Sequence, residues 1–130
     1  MTEVRAFIIE DNPTILRHLV STLREVAHVD PVGTADSEDD AVRWLLDHDD
    51  EWDLVIVDLF LRQGTGLSIL EAWRDRDPAR KIVVLSNHTS PDMRRKCAQL
   101  GADAVFDKAS ELDDLIDFCL RRREEPQSAY

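Results

Sequence analysis

The chain is predicted to fold as an α/β domain: one doubly wound sheet of five parallel strands, each followed by a helix, with helices on both faces. Three observations point there. Apolar runs and helical stripes alternate along the sequence, the order that builds strand–helix units with right-handed crossovers. The apolar runs are continuous rather than alternating, so their strands are buried on both faces. The length of 130 residues fits one domain.

The elements follow in order. Val4 to Ile9 reads as the first strand and ends in two adjacent carboxylates, Glu10 and Asp11. Asn12 and Pro13 open a helix in which Ile15, Leu16, Leu19, Val20 and Leu23 recur at helical spacing. A weak strand is expected over residues 28–33. A helix is expected over 35–48, with Asp36, Glu38, Asp39 and Asp40 in its first turn, where carboxylates suit the positive end of the helix dipole. Leu54 to Val57 is the next apolar run and ends in Asp58. Leu67, Ile69, Leu70 and Trp73 then predict a helix that stops before Pro78. Residues 82–85 form a run ending in Ser86. Pro91 suits a first helical turn, Met93, Cys97 and Leu100 make its apolar stripe, and Gly101 reads as its C-terminal cap. Residues 104–106 form a short run before Asp107 and Lys108. Leu112, Leu115, Ile116, Cys119 and Leu120 mark the last helix. The stretch from Arg121 reads as a polar, frayed tail, giving one unit over residues 1–122 and a tail over 123–130.

Composition removes whole classes of function. A net charge of −11 argues against nucleic-acid binding, which needs a basic surface. No apolar run approaches the roughly 18 residues that span a bilayer. The N-terminus lacks a secretion signal, so a cytoplasmic location is expected. Cys97 and Cys119 lie in helical stripes without metal-type spacing and read as small core residues. His18, His28 and His48 read as surface or packing residues. Trp44 and Trp73 read as partly exposed packing residues.

Ligands of open parallel sheets bind outside the carboxyl ends of the strands. Glu10 and Asp11, Asp58, Ser86 with Asn87, and Lys108 stand at those ends in four of the five strands. Two like charges about 4 Å apart repel by about 4 kcal/mol at an effective dielectric of about 20. A hard divalent cation relieves this, and oxygen ligands suit Mg2+, which commonly binds one or two carboxylates together with phosphate oxygens. An aspartate can act as the nucleophile in phosphoryl transfer. A transferring phosphoryl group needs neutralising from several sides. The residues therefore point to Asp58 as phosphoacceptor, Lys108 and Ser86 as its partners, and Glu10 and Asp11 as metal-facing acids. His88, two residues past Ser86, falls at the rim, where it would influence hydrolysis.

With these residues in place, the sequence resembles the response-regulator receiver domains of bacterial two-component signalling, over nearly the whole chain. The matching pieces are Glu10-Asp11, Asp58 in LVIVDLFL, Gly66 after it, Ser86 in VVLSN, GAD at 101–103, and Lys108 in VFDK. The resemblance implies a flavodoxin-like sheet ordered 2-1-3-4-5. It implies that Asp11, Asp58 and the backbone carbonyl of Phe60 hold Mg2+, with Glu10 helping through water. It also implies a sensor histidine kinase or phosphotransfer protein as phosphodonor, and a signalling domain rather than an enzyme. The sequence departs from the family at Arg62 and Ala109, where proline is common, at Asn87, where a small residue is common, and at Val105, where an aromatic is common. A cis bond before Ala109 would cost about 3 kcal/mol and is not expected. Phe106 should face away from the Val105 side.

No output domain is expected after residue 122, so the predicted role is a stand-alone receiver whose output is docking to a protein, with a homodimer as one possibility. Arg94, Arg95 and Lys96 form a basic cluster that is either a docking patch or a solvated helix face. The alternative role is a pseudo-receiver, an interaction module that works without phosphorylation. A flavin-binding reading fails because EDNPT offers carboxylates where a phosphate-cradling loop is needed. An Asp-x-Asp phosphatase fails because Phe60 occupies the second acidic position.

Overall fold

In the computed structural model, which describes residues 3–124, the apolar runs pair into one sheet of five parallel strands in the order β2-β1-β3-β4-β5. The elements alternate throughout: β1 (Val4–Ile9), α1 (Pro13–Ala27), β2 (Val29–Ala35), α2 (Glu38–Asp47), β3 (Leu54–Val57), α3 (Gly66–Ala72), β4 (Lys81–Ser86), α4 (Pro91–Gln99), β5 (Ala104–Asp107) and α5 (Leu112–Glu124).

Strand periodicity divides the core in two. Ala6, Ile8, Leu54, Ile56, Val83, Leu85 and Phe106 face Leu19 and Leu23 of α1 and Leu115 and Cys119 of α5. The alternate residues Phe7, Ile9, Val55, Val57, Ile82 and Val84 face Leu45 of α2, Ile69 and Leu70 of α3 and Cys97 of α4. Both cysteines are fully buried, as their stripes predict. Phe106 joins the first layer, with its ring 6.1 Å from that of Phe118, and Val105 joins the second.

Helix starts follow local chemistry. Asn12, Ser37, Thr65 and Ser90 each accept a main-chain N–H with the side-chain oxygen, and so cap α1, α2, α3 and α4. Three predicted boundaries move for physical reasons. The cap at Ser37 starts α2 three residues later than expected, and β2 runs on to Ala35. His28 adopts φ 56° and closes α1 rather than opening β2. The polar residues from Arg121 are helical to Glu124, because Arg122 is buried and donates to the Ala79 carbonyl at 2.7 Å. The remaining tail residues, 125–130, lie outside the described residues.

Edge position explains the weak signal of β2. Pro31 and Gly33 flank a register shift opposite Ala6 and Phe7, and an edge strand tolerates both. Gly33 is required there, since a Cβ would lie 2.5 Å from the Trp44 indole, which stacks on Phe7. Gly101, with φ 98°, follows α4 as its predicted stop. No cis peptide occurs among the described residues. No helix among them is long and apolar enough to cross a membrane.

Candidate functional site

Register carries the polar residues to one edge. Ile9 pairs with Val57, so Glu10 emerges beside Asp58. Ser86 pairs with Asp107, so Lys108 emerges one residue further on. Backbone bonds continue past the strand ends: Asp58 N–H donates to the Ile9 carbonyl at 3.1 Å, and Lys108 N–H to that of Ser86 at 3.0 Å.

At this edge three polar residues are buried, Glu10, Asp58 and Ser86. The Lys108 ammonium lies 2.8 Å from Asp58 Oδ2 and 2.5 Å from Glu10 Oε1. Burial would lower the ammonium's pKa, but its hydrogen bonds to Asp58 and Glu10 outweigh that and raise it. The other Glu10 oxygen accepts the Asn12 N–H at 3.0 Å, so both its oxygens are committed. Asp11 is half-buried and makes no hydrogen bond or ion pair among the described residues. Ligand oxygens of Glu10, Asp11 and Asp58 lie within 4.8 Å of one another. Three carboxylates and one ammonium leave two negative charges, and the donors are hard oxygens, so the set fits a small divalent cation.

The surrounding loops shape the edge. Gly66 lets α3 begin against the sheet, since a Cβ there would lie 2.4 Å from the Asp58 carbonyl oxygen. Ser86 Oγ accepts the His88 N–H at 3.2 Å. The His88 ring meets Phe60 edge to face, with centroids 4.4 Å apart, at the exposed rim. Glu10, Asp11, Asp58 and Lys108 are thus brought together, and His88 is exposed at the rim beside Phe60.

Sequence reading missed a second network behind Ser86. Thr89 Oγ1 donates to Asp107 at 2.8 Å. Arg94 donates to the carbonyls of Thr89 and Val105, each at 3.0 Å, and to Glu111 Oε1 at 2.5 Å. The Thr89 hydroxyl holds the Asp107 carboxyl below its ordinary range, and Arg94 does the same for Glu111. Of the basic cluster on α4, Arg94 is therefore committed within the chain, while Arg95 is paired with Asp92 at the exposed surface of the same helix. The only signal in sequence is that α4 carries Arg94 as its fourth residue and that Glu111 precedes α5.

A sequence profile described as the response regulator receiver domain matches residues 6–119. The chain belongs to this family. As a receiver it is similar to the transcriptional regulatory protein PhoP of Escherichia coli K12, 28% identical over 113 residues. The virulence transcriptional regulatory protein PhoP of Salmonella typhimurium LT2 is 27% identical over the same length. Each match takes in 87% of this chain and 49% of the relative, so the receiver spans about half the length of these curated relatives. In structure it is similar to the signal receiver domain of the response regulator NarL from Mycobacterium tuberculosis. That likeness has a TM-score of 0.82 at 21% identity and covers 96% of this chain and all of that one. It is also similar to the phosphorylated cyanobacterial phytochrome response regulator RcpA, with a TM-score of 0.74 at 22% identity, covering 95% and 93% of the two chains. Receivers are signalling domains, and the structural likenesses agree with the β2-β1-β3-β4-β5 topology found here.

Proposed function

We propose that this receiver accepts a phosphoryl group on Asp58 from a sensor histidine kinase or phosphotransfer protein in the cytoplasm, with Mg2+ bound, and passes the signal on by protein contact. The observation that carries this is Lys108 held between Asp58 and Glu10, with the Asp11 carboxylate close beside them. Asp11, Asp58 and the Phe60 carbonyl would hold the ion. Glu10 would act through water, because both its oxygens are engaged. When bound, the ion supplies positive charge against the carboxylates and the phosphoryl oxygens.

An Asp58 oxygen attacks the phosphorus of a phosphohistidine. The new O–P bond forms as the P–N bond breaks, and its electron pair stays with the donor imidazole. Lys108 orients Asp58 before transfer and donates to the phosphoryl oxygens after it. Ser86 Oγ accepts from His88 N–H, which leaves its own hydrogen to donate to the phosphoryl group and draw residues 86–90 inward. The donor's approach is supported along α1, where a cavity of about 350 Å3 lined by Thr14, Ile15, His18, Asn87 and Lys108 opens beside the site. The chemistry concerns only the receiver's own phosphorylation and dephosphorylation, so it is not proposed as an enzyme.

Output is proposed through a protein partner or a second copy of the chain, not nucleic acid, in keeping with the net charge of −11. Incubation with acetyl phosphate, read as intact mass, tests the acceptor role. Uptake of one phosphoryl group with Mg2+, none without it, and none in Asp58→Asn are expected. No uptake by the folded protein would contradict the reading and leave the phosphorylation-independent interaction module.

A further inference from the structure

The segment 60–65 joins β3 to α3 and carries Phe60 away from Asp58. Four contacts tie its outer part to the approach and first turn of α2. Glu38 N–H donates to the Gln63 carbonyl at 2.8 Å. Asp39 N–H donates to the Gln63 side-chain oxygen at 2.9 Å. Thr65 N–H donates to Glu38 Oε1 at 2.9 Å. Arg62 pairs with Asp36 at 2.9 Å, so the arginine that stands where the family often has proline supplies one of the ties. The seam is close-packed: Gly64 has φ 81°, and a Cβ there would lie 2.2 Å from Glu38 Cβ. Thr65 is in turn bridged, antiparallel, to Phe60.

Glu38 is not needed as a cap for its own helix, because Ser37 already accepts the Asp40 N–H at 3.2 Å. Its carboxylate is instead turned onto the loop. Of the four ties it alone reaches Thr65; the others hold Arg62 and Gln63.

We propose that Glu38 is a positioning residue for the metal site: by holding the Thr65 N–H it fixes the Phe60–Thr65 bridge, and with it the Phe60 carbonyl, before Mg2+ arrives. This rests on the reading of Asp11, Asp58 and Phe60 as metal ligands. Mg2+ requires near-octahedral geometry, so a ligand on a loose loop must be ordered at the expense of affinity. A glutamine at the same place keeps an acceptor oxygen, which separates the hydrogen bond from the charge.

The test is calorimetric Mg2+ titration of the full chain, with exchange of the Thr65 amide followed by NMR. Glu38→Ala should weaken Mg2+ binding about tenfold, or about 1.4 kcal/mol, and speed Thr65 exchange. Glu38→Gln should stay within about twofold of the parent, as should Arg62→Ala, which cuts a tie that does not reach Thr65. Parent-like affinity in Glu38→Ala overturns the proposal. So does equal weakening in Glu38→Ala and Glu38→Gln, or in Glu38→Ala and Arg62→Ala. Should Glu38→Ala not fold, weakened binding in Glu38→Gln overturns it and parent-like binding with unchanged Thr65 exchange supports it. Absence of Mg2+ binding in the parent, or its survival unchanged in Asp11→Asn, identifies a failure of the metal reading itself, and the role of Glu38 falls with it.

Discussion

Lys108 and Asp58, fifty positions apart in sequence, meet at 2.8 Å across two strand ends, and the same ammonium also bonds Glu10. Removing it leaves two buried carboxylates without their cation. Lys108→Ala should therefore lose about 3 kcal/mol of stability in metal-free buffer. Mg2+ should restore much of this, because it replaces the missing positive charge. Mg2+ affinity itself should hold or tighten, while the conformational change on phosphorylation weakens. Chemical denaturation with and without Mg2+, followed by tryptophan fluorescence, checks both. A collapse of metal affinity with an intact phosphorylation response would reverse the assigned roles.

Arg94 binds two carbonyls and one carboxylate from three segments, so its worth lies in the planar fork rather than the charge. Arg94→Lys should fare little better than Arg94→Ala, each losing about 1–2 kcal/mol in urea unfolding. Full rescue by lysine would show that only the charge matters.

With Arg94 committed inside the chain, a docking role on α4 passes to Arg95 and Lys96, both exposed. If α4 is the output face, Arg95→Glu with Lys96→Glu should abolish phosphorylation-dependent self-association or partner binding, and the parent's binding should weaken with salt. Sedimentation of the phosphorylated protein across a salt series measures it. Unchanged association with normal phosphorylation would place the output face elsewhere.

The fold was legible because a parallel sheet writes its strands as unbroken apolar runs, and the site because those runs stop in carboxylates, a hydroxyl and an ammonium. The β2 edge strand was faint, since Pro31, Gly33 and Thr34 need no two-sided burial. The end of α5 was hidden because Arg122 reads as surface charge yet is buried against Ala79. The ties from Glu38 to Thr65 and from Arg94 to Glu111 span 27 and 17 residues, each from a helix to a residue outside it. No periodicity relates such positions, so only coordinates bring them together.

Asp53 gives a pH signature far from the site. Burial opposes its ionisation, but the Arg5 side chain and main-chain N–H, at 2.9 to 3.1 Å, outweigh that and hold the carboxyl below its ordinary range. A depressed folded pKa stabilises the protein above the unfolded value of about 3.9 and ceases to do so as pH falls through the folded value. Asp53→Asn should cost about 2 kcal/mol at pH 7, and the gap to the parent should narrow steadily as pH falls below about 4. A gap that stays constant down to acid unfolding would show that the ion pair contributes nothing.

Burial pushes the Cys119 thiol up to about 12 and raises that of Cys97. Neither should react with iodoacetamide at pH 8 until the protein unfolds, since the thiolate is the reactive form. Rapid alkylation of the native protein would contradict the packing described for α4 and α5.

Glu10, Asp11 and Asp58 share one small edge, so the decisive question is which carboxylate becomes the acyl phosphate. Borohydride reduction of the phosphorylated protein converts an aspartyl phosphate to homoserine, and peptide mass spectrometry then finds its position. Homoserine at residue 58 alone, absent when Mg2+ is withheld, is the expected result. Homoserine at residue 11, or at neither position despite uptake of phosphate, would contradict the assignment of Asp58 as the phosphoacceptor.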